Sequence, residues 1–162
     1  MRQTLVLGLG NILLGDEAVG VRVVERLQEL YEVPEEVQVL DGGTLGLDLL
    51  PYVDDAECLL VVDAVDLDAE PGMIARLEGD DVPVFLSIKV SPHQVGLADL
   101  LAAARLRGHL PGELVLLGVQ PGEIAVKLEL SPPVAAQVDL LVEKAVAELD
   151  QWGFKCTRRS GA

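Results

Sequence analysis

The chain has 162 residues, half of them apolar, and a formal net charge of −15. That length suits one domain with a full core. The charge argues against a nucleic-acid surface, which needs clustered Lys and Arg to neutralise phosphates, and by itself signals solubility. No uninterrupted apolar run approaches the roughly 20 residues of a membrane helix. The sequence opens on its first strand, without a basic region, apolar stretch and cleavage site, so a cytoplasmic protein with no membrane insertion is expected. The two cysteines, Cys58 and Cys156, are far apart and form no CxxC pair, which leaves disulfide and thiolate-metal readings weak.

In chain order, residues 4–9 read as a buried strand, a short Val- and Leu-rich run ended by glycine. The segment after the glycine turn places Val19, Val23, Leu27 and Leu30 on one helical face, with Arg22, Glu25, Arg26 and Glu29 off it. Residues 37–40 form a second strand, closed by Asp41-Gly42-Gly43-Thr44, and a short helix is expected at 45–50. Residues 59–62 are the clearest interior strand and end at Asp63. Residues 73–77 and 84–88 read as further strands or edge segments, 95–106 as a helix and 114–119 as another strand. Val134, Val138, Leu141, Val142, Ala145 and Leu149 mark the last helix, behind a Pro132-Pro133 start. Strands separated by helices imply crossover connections, hence an α/β fold: three α/β/α layers around a mainly parallel twisted sheet of about five strands. One domain is expected over residues 1–154, with 155–162 as a flexible tail.

The turn after the first strand has the shape of a phosphate loop and the wrong charge. Gly10 and Gly15 stand at P-loop spacing, but Asp16-Glu17 occupies the place where that motif needs Lys and Ser/Thr. Two carboxylates there repel a triphosphate and attract a cation. A dinucleotide loop fails as well, because Leu13 stands where GxGxxG needs its third glycine.

Ligands of open parallel sheets bind outside the carboxyl ends of the strands. Here the first strand runs into Asp16-Glu17, the second into Asp41 and the third into Asp63, while the segment at 84–88 runs on toward Ser91-Pro92-His93. Glu, Asp and His together offer a mixed oxygen and nitrogen set suited to Zn²⁺, Ni²⁺, Mn²⁺ or Fe²⁺. Plain structural roles compete with each. Asp16 can be a helix N-cap and Glu17 a first-turn acid. Asp63 can cap a turn, Asp41-Gly42-Gly43 is a common turn sequence, and His93 can start a helix. His109, in a surface loop, reads as incidental.

Four stretches carry a family resemblance: GNILLGDEAVGVRVVE from Gly10, LDGGTLGLDLL from Leu40, VDAV from Val62 and KVSPHQVGLADLLAAARL from Lys89. With LLGVQP from Leu116, they resemble the hydrogenase maturation endopeptidases, in the family's order, over about residues 3–150. SPHQVGLAD is more specific than the glycine loop and is similar to the branch that serves uptake-type hydrogenases. The opening Gly8-Leu9-Gly10-Asn11 is also similar to peptidyl-tRNA hydrolase, but the histidine and basic face that enzyme needs are missing.

The resemblance implies a peptide-bond hydrolase that removes a short C-terminal peptide from the [NiFe] hydrogenase large-subunit precursor once nickel is inserted. The family's metal-contacting residues map onto Glu17, Asp63 and His93, and its DGGT substrate loop onto Asp41, Gly42, Gly43 and Thr44, with no departure at these positions. The implied metal is nickel carried by the substrate, with no organic cofactor, and a monomer suffices for a large protein substrate. Nickel could polarise the scissile carbonyl or activate water, or act as a recognition handle while a carboxylate serves as base. The alternative is a non-catalytic nickel-binding chaperone of hydrogenase maturation using the same three ligands.

Overall fold

The computed structural model describes residues 3–88, 95–122 and 124–161. Its sheet has five strands: β1 (Thr4–Leu9), β3 (Val37–Gly43), β4 (Cys58–Ala64), β5 (Ile74–Glu78) and β6 (Glu113–Val119), in the order β3-β1-β4-β6-β5. All pair in parallel except β5, which runs antiparallel to β6 along one edge. The expected α/β class and mainly parallel sheet are therefore present.

Period-two alternation divides the core between the two faces. Val6, Leu60, Val62, Val115 and Leu117 face the helices α1 (Val19–Leu30) and α6 (Val138–Gln151). Leu5, Leu7, Leu59, Val61 and Leu116 pack instead with Val53, Leu86, Leu97 and Leu101. These last four come from α2 (Leu50–Asp55), α3 (Asp81–Ile88) and α4 (Val95–Leu106). Continuing the alternation along β4, Asp63 follows Leu59 and Val61 onto the α4 side.

Glycines set how close α1 comes. A Cβ on Gly8 would lie 2.4 Å from the Gly20 carbonyl oxygen, and one on Gly20 would lie 2.1 Å from the Val62 carbonyl oxygen. Neither position tolerates a side chain, so α1 crosses β1 and β4 in backbone contact. The 3-10 turn Gly15–Ala18, which leads into α1, is thereby held over the carboxyl ends of these strands.

Two expectations are corrected. Residues 84–88, read as a strand, belong to the helix α3. The apolar run Val84-Phe85-Leu86 imitates a strand, but the buried positions are Val82 and Leu86, four apart on one helical face. Asp81 and Pro83 suit a helix's first turn, and the Ser87 hydroxyl donates to the Val84 carbonyl at 2.7 Å. The tail, expected to be loose from residue 155, instead forms β7 (Thr157–Arg158), antiparallel to β2 (Tyr31–Glu32). Its polar composition hid backbone and ring contacts. The Arg159 N–H donates to Leu30 O at 2.9 Å, and the Arg158 guanidinium lies 5.3 Å from the Tyr31 ring centre.

The last helical stretch is also broken in two, as α5 (Pro132–Ala135) and α6. Among the described residues no helix is long and apolar enough to cross a membrane.

Candidate functional site

A cleft of about 170 Å³ opens at the carboxyl ends of β1 and β4. Glu17 and Asp63 line it together with Gly43 and Thr44. The sequence-based expectation thus converges for these four residues. Both carboxylates are nearly shielded from solvent, Glu17 at 8% exposure and Asp63 at 3%.

Each carboxylate arrives by a different route. Asp63 lies within β4, in register with Gly118 of β6, so it caps no turn; it replaces an apolar residue at the end of a buried strand. Glu17 is delivered by the 3-10 turn under Gly10. That glycine has φ +129°, and a Cβ there would fall 1.7 Å from the Glu17 carbonyl oxygen. Only glycine fits.

Burial pushes the Asp63 carboxyl well above its ordinary range, and the nearby Glu17 charge acts in the same direction. The Ala64 N–H opposes both by hydrogen bonding to the carboxylate. Ionising both carboxylates in this poorly solvated place is therefore costly, and a cation between them would relieve that cost.

The DGGT residues divide in position. Gly43 and Thr44 line the cleft, while Asp41 and Gly42 shape it from behind. Asp41 Oδ1 accepts the Gly43 N–H at 2.9 Å, and the Gly43 carbonyl accepts the Gly10 N–H at 3.0 Å, tying the two glycine turns together. Gly42 is packed among side chains of Leu7, Leu9 and Leu49, each within 2.9 Å of where a Cβ would sit.

His93 lies outside the described residues, as do residues 89–92 and 94. The segment expected to lead toward it as a strand is the helix α3. The described chain resumes at Val95, and Gly96, Leu97 and Leu100 of α4 form one wall of the cleft. Among the described residues no group of three or more His, Cys, Asp and Glu side chains is placed to hold a metal ion. His109 is exposed, 3.6 Å from Asp54, in a separate hollow with Glu57 and Glu113.

Sequence reading missed two features. Asp16 is no N-cap: it is fully buried, and neither the 3-10 turn nor α1 has a side-chain cap. Its carboxylate instead accepts the Gly122 N–H at 2.8 Å, and the Ser131 N–H and hydroxyl at 2.6 Å each. No local spacing encodes such a contact across more than a hundred residues. The second is Gly96, a glycine in the first turn of α4 that the fold does not demand. Its φ is not positive, and among the described residues a Cβ would meet only Gly46 Cα, at 3.9 Å. Glycine is disfavoured in a helix, and here it keeps the cleft wall bare for close approach of a ligand. Gly96→Ala is expected to fold at least as stably as the wild type yet raise KM about tenfold; thermal unfolding and steady-state kinetics on one preparation check both.

Comparison with known proteins places this site in context. The family model described as hydrogenase maturation protease matches residues 21–148. The hydrogenase expression/formation protein HupD of Rhodobacter capsulatus is 46% identical over 158 residues, spanning 96% of this chain and 75% of that protein. The Hydrogenase 2 maturation protease of Escherichia coli strain K12 is 42% identical over 156 residues, 96% of this chain and 95% of that protein. The solved structure of the hydrogenase maturating endopeptidase HybD from E. coli matches at 42% identity with a TM-score of 0.93, covering 100% of both chains. The chain therefore belongs to the hydrogenase maturation protease family and is an endopeptidase.

Proposed function

We propose that the protein removes the C-terminal peptide from a [NiFe] hydrogenase large-subunit precursor after nickel insertion, acting in the cytoplasm as a monomer. Glu17, Asp63 and His93 engage the nickel that the precursor carries, and the loop Asp41-Gly42-Gly43-Thr44 contacts the chain around the scissile bond. The observation that carries this reading is the pairing of Glu17 with a desolvated Asp63 in one cleft.

Electrostatics support the dependence on nickel. Without a cation, ionising Asp63 meets both desolvation and the Glu17 charge. A precursor that brings its own divalent ion relieves both, so the pair selects a metal-loaded substrate over an empty one. Nickel in that position polarises the scissile carbonyl or activates water. The same geometry also serves if the metal is only a handle and a carboxylate takes the proton. His93 enters on its match to the family motif, together with the cleft-facing first turn of the helix that follows it. No organic cofactor is required.

Nickel-loaded and nickel-free precursor, mixed with the protein at equal concentration, are expected to differ in cleavage rate by about 100-fold or more, a fair share of the charge stabilisation a bound metal supplies. Equal rates would remove the metal from the mechanism.

A further inference from the structure

Within residues 124–130, IAVKLEL, apolar and charged side chains alternate from Val126 onward, and over Val126–Leu128 they do so inside out. Val126 is 87% exposed and Leu128 59%, while Lys127 between them is half-buried. A solvated strand shows the opposite pattern. The neighbouring glycine turn behaves alike: Ile12 is 44% and Leu13 55% exposed, while Leu14 is half-buried.

The two segments are fastened together. Leu14 and Lys127 form a parallel bridge, in which the Lys127 N–H donates to Leu13 O at 3.0 Å and the Gly15 N–H to Lys127 O at 2.9 Å. Side chains alternate across such a bridge, so Leu13 and Val126 share the outward face and Leu14 and Lys127 the inward one. Asp16 then closes the loop, binding Gly122 at one end and Ser131 at the other. The result is a fixed apolar face rather than a stray exposed residue.

We propose that Ile12, Leu13, Val126 and Leu128 form a docking face for an apolar patch on the folded body of the precursor, separate from the segment that is cut. This rests on the processing function proposed above. Continuity selects the occupant. Ile12 and Leu13 lie in the stretch between Gly10 and Glu17, both of which line the cleft, so a protein seated on the face also reaches the cleft mouth. A second copy seated there would stand beside the same mouth and hinder a large substrate. Asp16, adjacent to Glu17, couples the face to the site: the carboxylate that anchors the docking loop belongs to the turn that positions Glu17.

The test uses Leu13→Ser and the double variant Val126→Asp/Leu128→Asp, with nickel-loaded large-subunit precursor from the same organism. Cleavage kinetics, precursor binding and sedimentation are measured on each, and circular dichroism shows that these exposed substitutions leave the fold intact. A rise in KM of about tenfold or more, with kcat unchanged and binding weakened in step, is expected. Wild-type KM in both variants would overturn the docking face, as would a loss of kcat at constant KM. A wild-type dimer that the double variant converts to monomer would assign the face to a second copy instead. Should the wild type bind the precursor without cutting it, processing fails, but docking stands if the variants lose that binding. No binding by the wild type removes both.

Discussion

Glu17→Gln and Asp63→Asn are each expected to slow precursor processing by about 100- to 10,000-fold, the range spanned by losing one positioned acid–base group. Both substitutions keep size and shape, so the fold should survive, and the loss should fall on kcat/KM for nickel-loaded precursor. Asp63→Asn carries a second signature, in stability. The folded protein raises the affinity of Asp63 for its proton above the ordinary value of 3.8. Below that pH the carboxyl is protonated in both folded and unfolded chains and contributes no pH dependence. As pH rises past 3.8, the unfolded chain releases the proton while the folded chain retains it, so stability falls until the folded carboxyl also ionises. Asparagine removes this decline. Free of precursor, Asp63→Asn should therefore be more stable than the wild type near neutral pH, with a margin that grows as pH rises through that window. Denaturant unfolding across pH reads it directly. A variant less stable than the wild type at neutral pH would mean that Asp63 is not held against ionisation.

Asp16→Ala should be strongly destabilising although it adds no steric clash. It strands the Gly122 N–H and the N–H and hydroxyl of Ser131, all of which now point at one buried carboxylate. The two Ser131 donors are buried, and an unsatisfied buried donor costs about 1–3 kcal/mol, so a loss of about 3 kcal/mol is expected. For a chain of this size that corresponds to roughly 6–12 °C in Tm. Asp16→Asn should not rescue it fully. Its two oxygens both accept from N–H donors, and whichever becomes NH₂ meets one of them. Ser131→Ala loses only the hydroxyl bond, about 1 kcal/mol. If Asp16→Ala unfolds at the wild-type temperature, the clamp contributes nothing.

What the sequence revealed and what it hid follow from the range of the interactions. The strands at 59–62 and 114–119 and the helix at 95–106 announce themselves by apolar runs and periodicity, which are local. Glu17 and Asp63 were legible because Asp63 ends one apolar strand and Glu17 follows the glycine turn after another, in a parallel sheet whose topology brings those ends together. The segment 84–88 misled because three consecutive apolar residues look alike in a strand and in a short buried helix. Its true period shows only in Val82 and Leu86. The ribbon of Thr157–Arg158 with Tyr31–Glu32 rests on backbone bonds that carry no side-chain signature. Asp16 was misread for a related reason: a carboxylate before a helix is usually a cap, and its partners lie 106 and 115 positions away. Gly96 could have been found, since a glycine in a confidently read helix without a turn to make calls for a reason.

Intact-mass analysis of nickel-loaded large-subunit precursor, incubated with and without the protein, tests the central proposal most directly. Loss of a short C-terminal peptide in the presence of the wild type, absent with Asp63→Asn, is the expected result. An unchanged mass while a stable complex forms would contradict it, and would leave a nickel-binding chaperone as the function of this cleft.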